Sequence, residues 1–192
     1  MPALILGLAV FLGMHSIRIV ADDWRSARIA ARGERPWKGF YAVASLVGFA
    51  LIVWGYSLAR QNPVQLWSAP VWSRHASSLL VLLAFILIAA AYVPRNHLKA
   101  AIGHPMYAGT KLWAVGHLLG NGTLADLLLF GSFLVWAVAG FRSGRARDRR
   151  AGVSYPAGTA GRTIETVVIG TAVWAIFAFY LHGPLIGVRP LG

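Results

Sequence analysis

The sequence contains no cysteine among its 192 residues. This absence excludes disulfides, iron–sulfur clusters, thiolate metal sites and covalent attachment of a c-type haem through a C-x-x-C-H motif. Carboxylates are also scarce, since Asp and Glu together number 6 against 18 Lys and Arg. Because most of them fall between the apolar segments, a zinc site is disfavoured.

Several motifs that carry chemistry are missing as well. The sequence has no nucleophile–base arrangement, phosphate-binding loop, H-E-x-x-H pair or dinucleotide fingerprint. If the chain catalyses a reaction, we therefore expect a bound cofactor to perform the difficult chemistry. The net charge of +12 does not predict a nucleic-acid partner, because the cations cluster between apolar segments.

What the sequence has in abundance is apolar residues, at 57% of the chain with a mean hydropathy of +0.61. Apolar runs of about 17–25 residues suit transmembrane helices, and these runs lack the alternation of barrel strands. The sequence predicts one all-α domain over residues 1–192, a polytopic integral membrane bundle in a lipid bilayer with about six transmembrane helices. The predicted segments are residues 3–21, 39–59, 71–93, 105–119, 124–141 and 164–182.

The cations indicate the orientation of these segments. Fourteen Lys and Arg residues flank the first, third and fifth connections, whereas three lie on the opposite side and Lys111 lies inside the fourth segment. By the positive-inside rule, both termini are predicted to be periplasmic in a multi-pass protein of the bacterial inner membrane. The fifth connection, residues 142–163, is predicted to be a basic, mobile cytoplasmic loop. The first segment lacks a basic start and is predicted to be a retained helix.

Two histidines lie within apolar runs, where ionisable groups usually mark a functional site. His15 has Phe11 four residues before it and Arg18 three residues after it on the same helix face. His117 lies near the end of the fourth segment, which His104-Pro105 begins. Because His104 and His117 are thirteen residues apart, they lie on nearly opposite faces and are poor ligands for one metal.

A haem iron suits two neutral imidazoles from different helices, with apolar surroundings and cations near the propionates. Arg18 and Lys111 are the candidate charge partners, and His15 is a candidate ligand. Its partner is either His117, which lies about 10 Å away in depth by helix rise, or His104, which fits the depth better. The alternative is that each histidine is a packing residue that is hydrogen-bonded to its neighbours.

Small residues mark one face of the second segment. Ala44 and Gly48 are four residues apart, and Gly55 follows one heptad later. Such a face lets another helix approach closely, so we expect it to pack against a helix of the same chain, with a dimer interface as the alternative.

Three stretches resemble the NnrU family of bacterial membrane proteins. They are GMHSIRI at residues 13–19, WKGFYAVASLVGFALIVWGYSLAR at residues 37–60, and the stretch from HPMYAGTKLWAVGHLLGNG onward over residues 104–137. Together they cover about half of the chain in one order. The resemblance implies an inner-membrane protein associated with denitrification.

The chain is also similar to the haem-dependent zeta-carotene isomerase, which binds haem b non-covalently. That resemblance implies His15 and His117 as metal ligands, with His104 a further matching position. It favours His117 over His104 as the partner of His15. The isomerase has a cysteine where this chain has Ala114, so the resemblance does not extend to a thiolate-dependent mechanism.

Together these observations predict a haem b-binding membrane protein with Trp113 as a wall of the pocket. Its enzymatic status stays open between two classes. One is a haem-dependent isomerase or an enzyme that processes nitrogen oxides in denitrification. The other is a non-enzymatic accessory or sensor that supports a respiratory-complex partner.

Overall fold

A computed structural model describes residues 1–190 and shows a helical bundle. Within these residues the only β pairing is an isolated bridge between Gln65 and Thr123. A π-helical turn, Phe177–Leu181, joins the last two helices. The α-helices are α1 Pro2–Val20, α2 Asp22–Arg32, α3 Glu34–Gln61, α4 Val71–Tyr92, α5 His97–Ile102, α6 Pro105–Gly120, α7 Leu124–Ala151, α8 Ala160–Ile176 and α9 His182–Ile186.

The polytopic helical membrane bundle predicted from hydropathy is confirmed. Five helical spans in residues 1–190 are long and apolar enough to cross a membrane, namely α1, α3, α4, α7 and the continuous stretch Ala160–Ile186. Helix α6 has 16 residues and is therefore about 24 Å long, shorter than a typical span. The end of α6 lies beside the end of α3, because the connections that follow these two helices pair with each other.

Helices α1 and α3 pack closely because glycines remove side chains from their interface. A Cβ on Gly48 would lie 2.7 Å from the Phe11 backbone nitrogen, and one on Gly7 would lie 2.6 Å from that of Ile52. A Cβ on Gly55 would lie closer still to the backbone of Leu4. The prediction that Gly48 and Gly55 face another helix of the same chain is confirmed.

Helices α4 and α6 form a second close pair by the same means. A Cβ on Gly109 would lie 2.8 Å from the Ala84 carbonyl oxygen, and one on Gly116 would lie 3.2 Å from Leu80 Cβ. Helix α7 contacts α1, α3 and α6 and so joins the two pairs, while α8 packs on α4. The residues that surround α7 therefore come from distant parts of the sequence.

The basic stretch after Phe141 is largely helical. Helix α7 continues ten residues beyond the predicted end at position 141, and it ends at Ala151 with Gly152 in the left-handed conformation. The next helix, α8, begins at Ala160. Only eight residues, 152–159, therefore form the irregular part of the predicted loop, and their backbone is tied down where Thr159 N–H donates to the Arg95 carbonyl.

Candidate functional site

His15 lies near the carboxyl end of α1, and its two ring nitrogens have different surroundings. Its Nδ1 lies 2.7 Å from the Phe11 carbonyl oxygen, to which a protonated Nδ1 donates. The ring stacks on Phe11 with centroids 4.1 Å apart, and Tyr41 and Trp136 lie 5.1 and 6.1 Å away. A backbone partner on one nitrogen orients a histidine ring and leaves Nε2 free to bind a metal.

A cavity of about 370 Å³ adjoins His15, which we call the His15 cavity. Aromatic and thioether side chains supply much of its wall, and three cations and Glu34 supply its polar part. This volume and lining are typical of a pocket for a small organic molecule. The lining residues are Met14, His15, Ile17, Arg18, Arg25, Glu34, Trp37, Lys38, Tyr41, Met106, Tyr107 and Trp136.

Arg18 is the cation of this cavity that has no acidic partner. The Lys38 ammonium lies 3.1 Å from Glu34, and the Arg25 guanidinium lies 3.5 Å from Asp22. No carboxylate within residues 1–190 lies within 4.0 Å of the Arg18 guanidinium. The structure thus brings together His15 and Arg18, two residues singled out from the sequence, beside one cavity.

His117 has the same local arrangement at a different level of the bundle. Its Nδ1 lies 2.8 Å from the Trp113 carbonyl oxygen, one turn earlier in α6. Its ring stacks on Phe130 at 4.5 Å and lies 5.0 Å from Trp113. Its Nε2 is therefore also the nitrogen left for another partner. Trp113, predicted to be a pocket wall, contacts His117 and does not line the His15 cavity.

A layer of aromatic rings lies between His15 and His117. Phe133 of α7 packs against Phe11 at 5.8 Å and against Trp113 at 5.5 Å. Along α7, the residue beside His15 is Trp136 and the residue beside His117 is Phe130, which are about 9 Å apart by helix rise. The depth offset expected from the sequence is thus present, and binding of one iron by both histidines stays a prediction.

His104 belongs to a third cluster, at the end of the bundle where α6 begins. Its Nε2 lies 2.8 Å from Asp148 Oδ2, and the Tyr155 hydroxyl donates to the same oxygen at 2.7 Å. Gly144 leaves room for the imidazole, since a Cβ there would lie 2.7 Å from His104 Nε2. Helix α6 begins at Pro105 as predicted, but His104 does not cap it with its side chain because the ring is directed to Asp148.

Tyr155 comes from the irregular segment 152–159 and closes this cluster. Burial, and then the hydrogen bond to Asp148, raise the pKa of Tyr155 to about 12. The hydroxyl therefore remains a hydrogen-bond donor throughout the neutral pH range. His104 does not line the His15 cavity, from which Tyr107 and Trp136 separate it.

Lys111 lies away from the His15 cavity. Its ammonium is 4.0 Å from the centroid of the Phe141 ring, a cation–π distance. Lys111 thus serves a different part of the bundle from Arg18, the other predicted charge partner.

A buried polar cluster near the start of α7 was not predicted. Asp126 accepts hydrogen bonds from the Tyr56 hydroxyl at 2.5 Å and from the Thr123 backbone N–H at 2.9 Å. The spacing Thr123-x-x-Asp126 is a capping-box pattern, so this half of the cluster was visible in the sequence. Tyr56 is 70 residues away, and no local pattern indicates its contact with Asp126.

Comparison with known proteins identifies the family of this chain. The family model described as NnrU protein matches residues 3–190. No curated protein and no solved structure matches the chain. Because the match extends over nearly all of the sequence, including every helix described above, this chain belongs to the NnrU family.

Proposed function

We propose that this protein binds haem b non-covalently in the His15 cavity, with His15 as an iron ligand. The observation that supports this best is the state of the imidazole: Nδ1 is held by the Phe11 carbonyl, and Nε2 is left free beside a cavity. No group of three or more His, Cys, Asp and Glu side chains suited to a metal ion occurs in residues 1–190. A haem, whose porphyrin supplies four ligands, requires at most two from the protein.

The rest of the cavity suits both the apolar macrocycle and the anionic propionates of a haem. Tyr41, Tyr107 and Trp136 offer flat apolar surfaces for the macrocycle. Arg18, with no carboxylate partner, offers a fork of donors for a propionate, and Lys38 lies in the same wall. The residues present therefore fit a planar, amphipathic anion with a metal at its centre.

His117 is the predicted second ligand and requires a separate test. The Phe11, Phe133 and Trp113 rings lie between it and His15. If both histidines bind one iron, these rings must move aside for the cofactor. If His15 were the only protein ligand, the iron would be able to take up an external ligand.

The proposed activity is the handling of nitric oxide in denitrification, in keeping with the expectation attached to this family. A reduced haem supplies an iron that binds nitric oxide, and the same site can polarise a polyene in an isomerase. Within the protein, His15 holds the metal, Arg18 orients the anionic edge, and the aromatic wall excludes water. A non-enzymatic sensor would use the same residues. It would differ from an enzyme in binding nitric oxide without converting it.

The test is the absorption spectrum of the detergent-purified protein, oxidised and reduced, expressed with ample haem. We expect a Soret band with sharp reduced bands in wild type and in the control variant His75→Ala, and its loss in His15→Ala. His117→Ala distinguishes two coordinations, because loss of the six-coordinate spectrum indicates a bis-histidine iron. Addition of nitric oxide to the reduced protein then reports an open position. A colourless wild-type protein overturns the proposal.

A further inference from the structure

We propose that the cytoplasmic end of α7 binds the phosphate of an anionic phospholipid. An open surface of α7 lies there and is formed by Phe141, Arg142, Ser143, Arg145, Ala146 and Arg149. The three arginines are spaced by three and four residues, which places them on one face of the helix. Arginine forks are well matched to phosphate oxygens, and α7 here has left the apolar part of the bundle.

The charge of these three arginines is not neutralised within the protein. No carboxylate in residues 1–190 lies within 4.0 Å of any of them. The acidic residue of this stretch, Asp148, is already occupied by His104 and Tyr155. Arg147 is not part of this surface, and its guanidinium donates to Ser143 and to the Arg18 carbonyl. Arg145 donates to the Ile102 carbonyl at 3.5 Å, which leaves its charge without an acidic partner. This surface of α7 is therefore a concentrated positive site.

The same helix face continues into the membrane as an apolar stripe. Val135 and Val138 precede Arg142 by seven and four residues, and they are 71% and 39% exposed. Phe141 lies at the boundary between valines and arginines, with the Lys111 ammonium over its ring. An acyl chain fits along the valines while its headgroup phosphate sits among the arginines. Free phosphate uses only the arginines, so the apolar stripe favours a lipid.

The experiment is native mass spectrometry of the full chain, offered phosphatidylglycerol and phosphatidylcholine with identical acyl chains. We expect wild type to retain phosphatidylglycerol with a preference of about tenfold or more, since each nearby cation contributes to anionic-lipid binding. The variant Arg142→Gln/Arg145→Gln/Arg149→Gln should lose this preference. The matched control Arg28→Gln/Arg32→Gln/Arg35→Gln removes the same charge from exposed residues of α2 and its neighbourhood, and should keep it.

Three results overturn the proposal. The first is an equal loss of the phosphatidylglycerol preference in both triple variants, which indicates surface charge alone. The second is the absence of any lipid preference in wild type. The third is full displacement of the lipid by excess inorganic phosphate, which indicates a site for free phosphate. Circular dichroism verifies the fold of each variant. If the triple variant does not fold, Arg145→Gln alone serves, with a smaller expected loss.

Discussion

Asp126 illustrates how hydrogen bonds compensate the burial of a carboxylate inside an apolar bundle. Its side chain is 4% exposed, yet it accepts hydrogen bonds from the Tyr56 hydroxyl, the Thr123 hydroxyl and the Thr123 backbone N–H. These donors replace the water that a carboxylate loses on burial. The same contacts cap α7 and tie it to the end of α3.

Replacement of Asp126 tests this reading. We expect Asp126→Asn to lower the free energy of unfolding by about 1–3 kcal/mol, because the amide nitrogen cannot accept from donors that a carboxylate satisfies. Tyr56→Phe should cost less, about 1 kcal/mol, since two donors remain. Denaturant unfolding in detergent measures both, with exposed Asp23→Asn as the control. An unchanged stability in Asp126→Asn would contradict the structural role.

Asp148 holds the segment 152–159 through Tyr155. We expect Asp148→Ala to increase amide exchange in this segment by about tenfold, because hydrogen bonds to a charged group are lost. Tyr155→Phe should have an intermediate effect. Hydrogen–deuterium exchange with mass spectrometry at neutral pH is the measurement. Unaltered exchange would mean that the Thr159–Arg95 backbone bond and the His97–Thr163 contact hold the segment without Asp148.

The pH dependence of this contact has a defined sign. Because the pKa of Tyr155 is raised to about 12 in the folded protein, its contribution to stability is complete below the ordinary tyrosine pKa of about 10. It is lost as the pH rises through about 12. In Tyr155→Phe, the part of the alkaline loss of stability that belongs to this residue should be absent.

At the scale of helices, glycine determines how closely α1 and α3 approach. We expect Gly48→Ala to destabilise the protein by about 1–3 kcal/mol, because the new Cβ meets the Phe11 backbone. Gly13→Ala and Gly39→Ala are matched controls, since a Cβ at either position meets no atom within 4 Å. Both should be neutral or slightly stabilising, because alanine favours helix. Thermal unfolding in detergent compares them, and equal loss in all three would refute the packing argument.

Helix α7 shows where helix-scale prediction from sequence is limited. The apolar run ends at Phe141, so the predicted transmembrane segment ends there. Helical backbone hydrogen bonding does not require apolar side chains and can continue beyond it. Residues such as Ala146 and the neighbouring arginines favour helix in water as well. The helix therefore continues until Gly152, which adopts φ +61° and ends it.

For the whole molecule, the absence of cysteine offers a direct test of orientation. We expect a single Ser68→Cys variant to react with a membrane-impermeant maleimide from the periplasmic side. Ser154→Cys should react only after the membrane is permeabilised, since arginines surround it. The cysteine-free parent is the background control. The reverse labelling pattern would place both termini in the cytoplasm.

The molecule also shows what the sequence predicts and what it does not. Apolar runs predicted a polytopic helical bundle of about six spans, and five spans in residues 1–190 are long and apolar enough to cross a membrane. The costly placement of His15 and His117 in the apolar runs indicated candidate ligands. Hydropathy holds no information about which helices touch. The ring layer around Phe133 and the pairing of His104 with Asp148 depend on which helices touch, and the sequence did not predict them.

The connections that follow α3 and α6 have a mechanical consequence. The Val64 carbonyl accepts from Leu124 N–H, and the Gly122 carbonyl accepts from Leu66 and Trp67. These hydrogen bonds join the pair α1–α3 to the pair α4–α6 at one end of the bundle. Because the two helix pairs are joined at this end, a small rotation of one pair relative to the other displaces their opposite ends most. The His15 cavity lies toward that far end, so any rocking of the pairs changes the width of its entrance first.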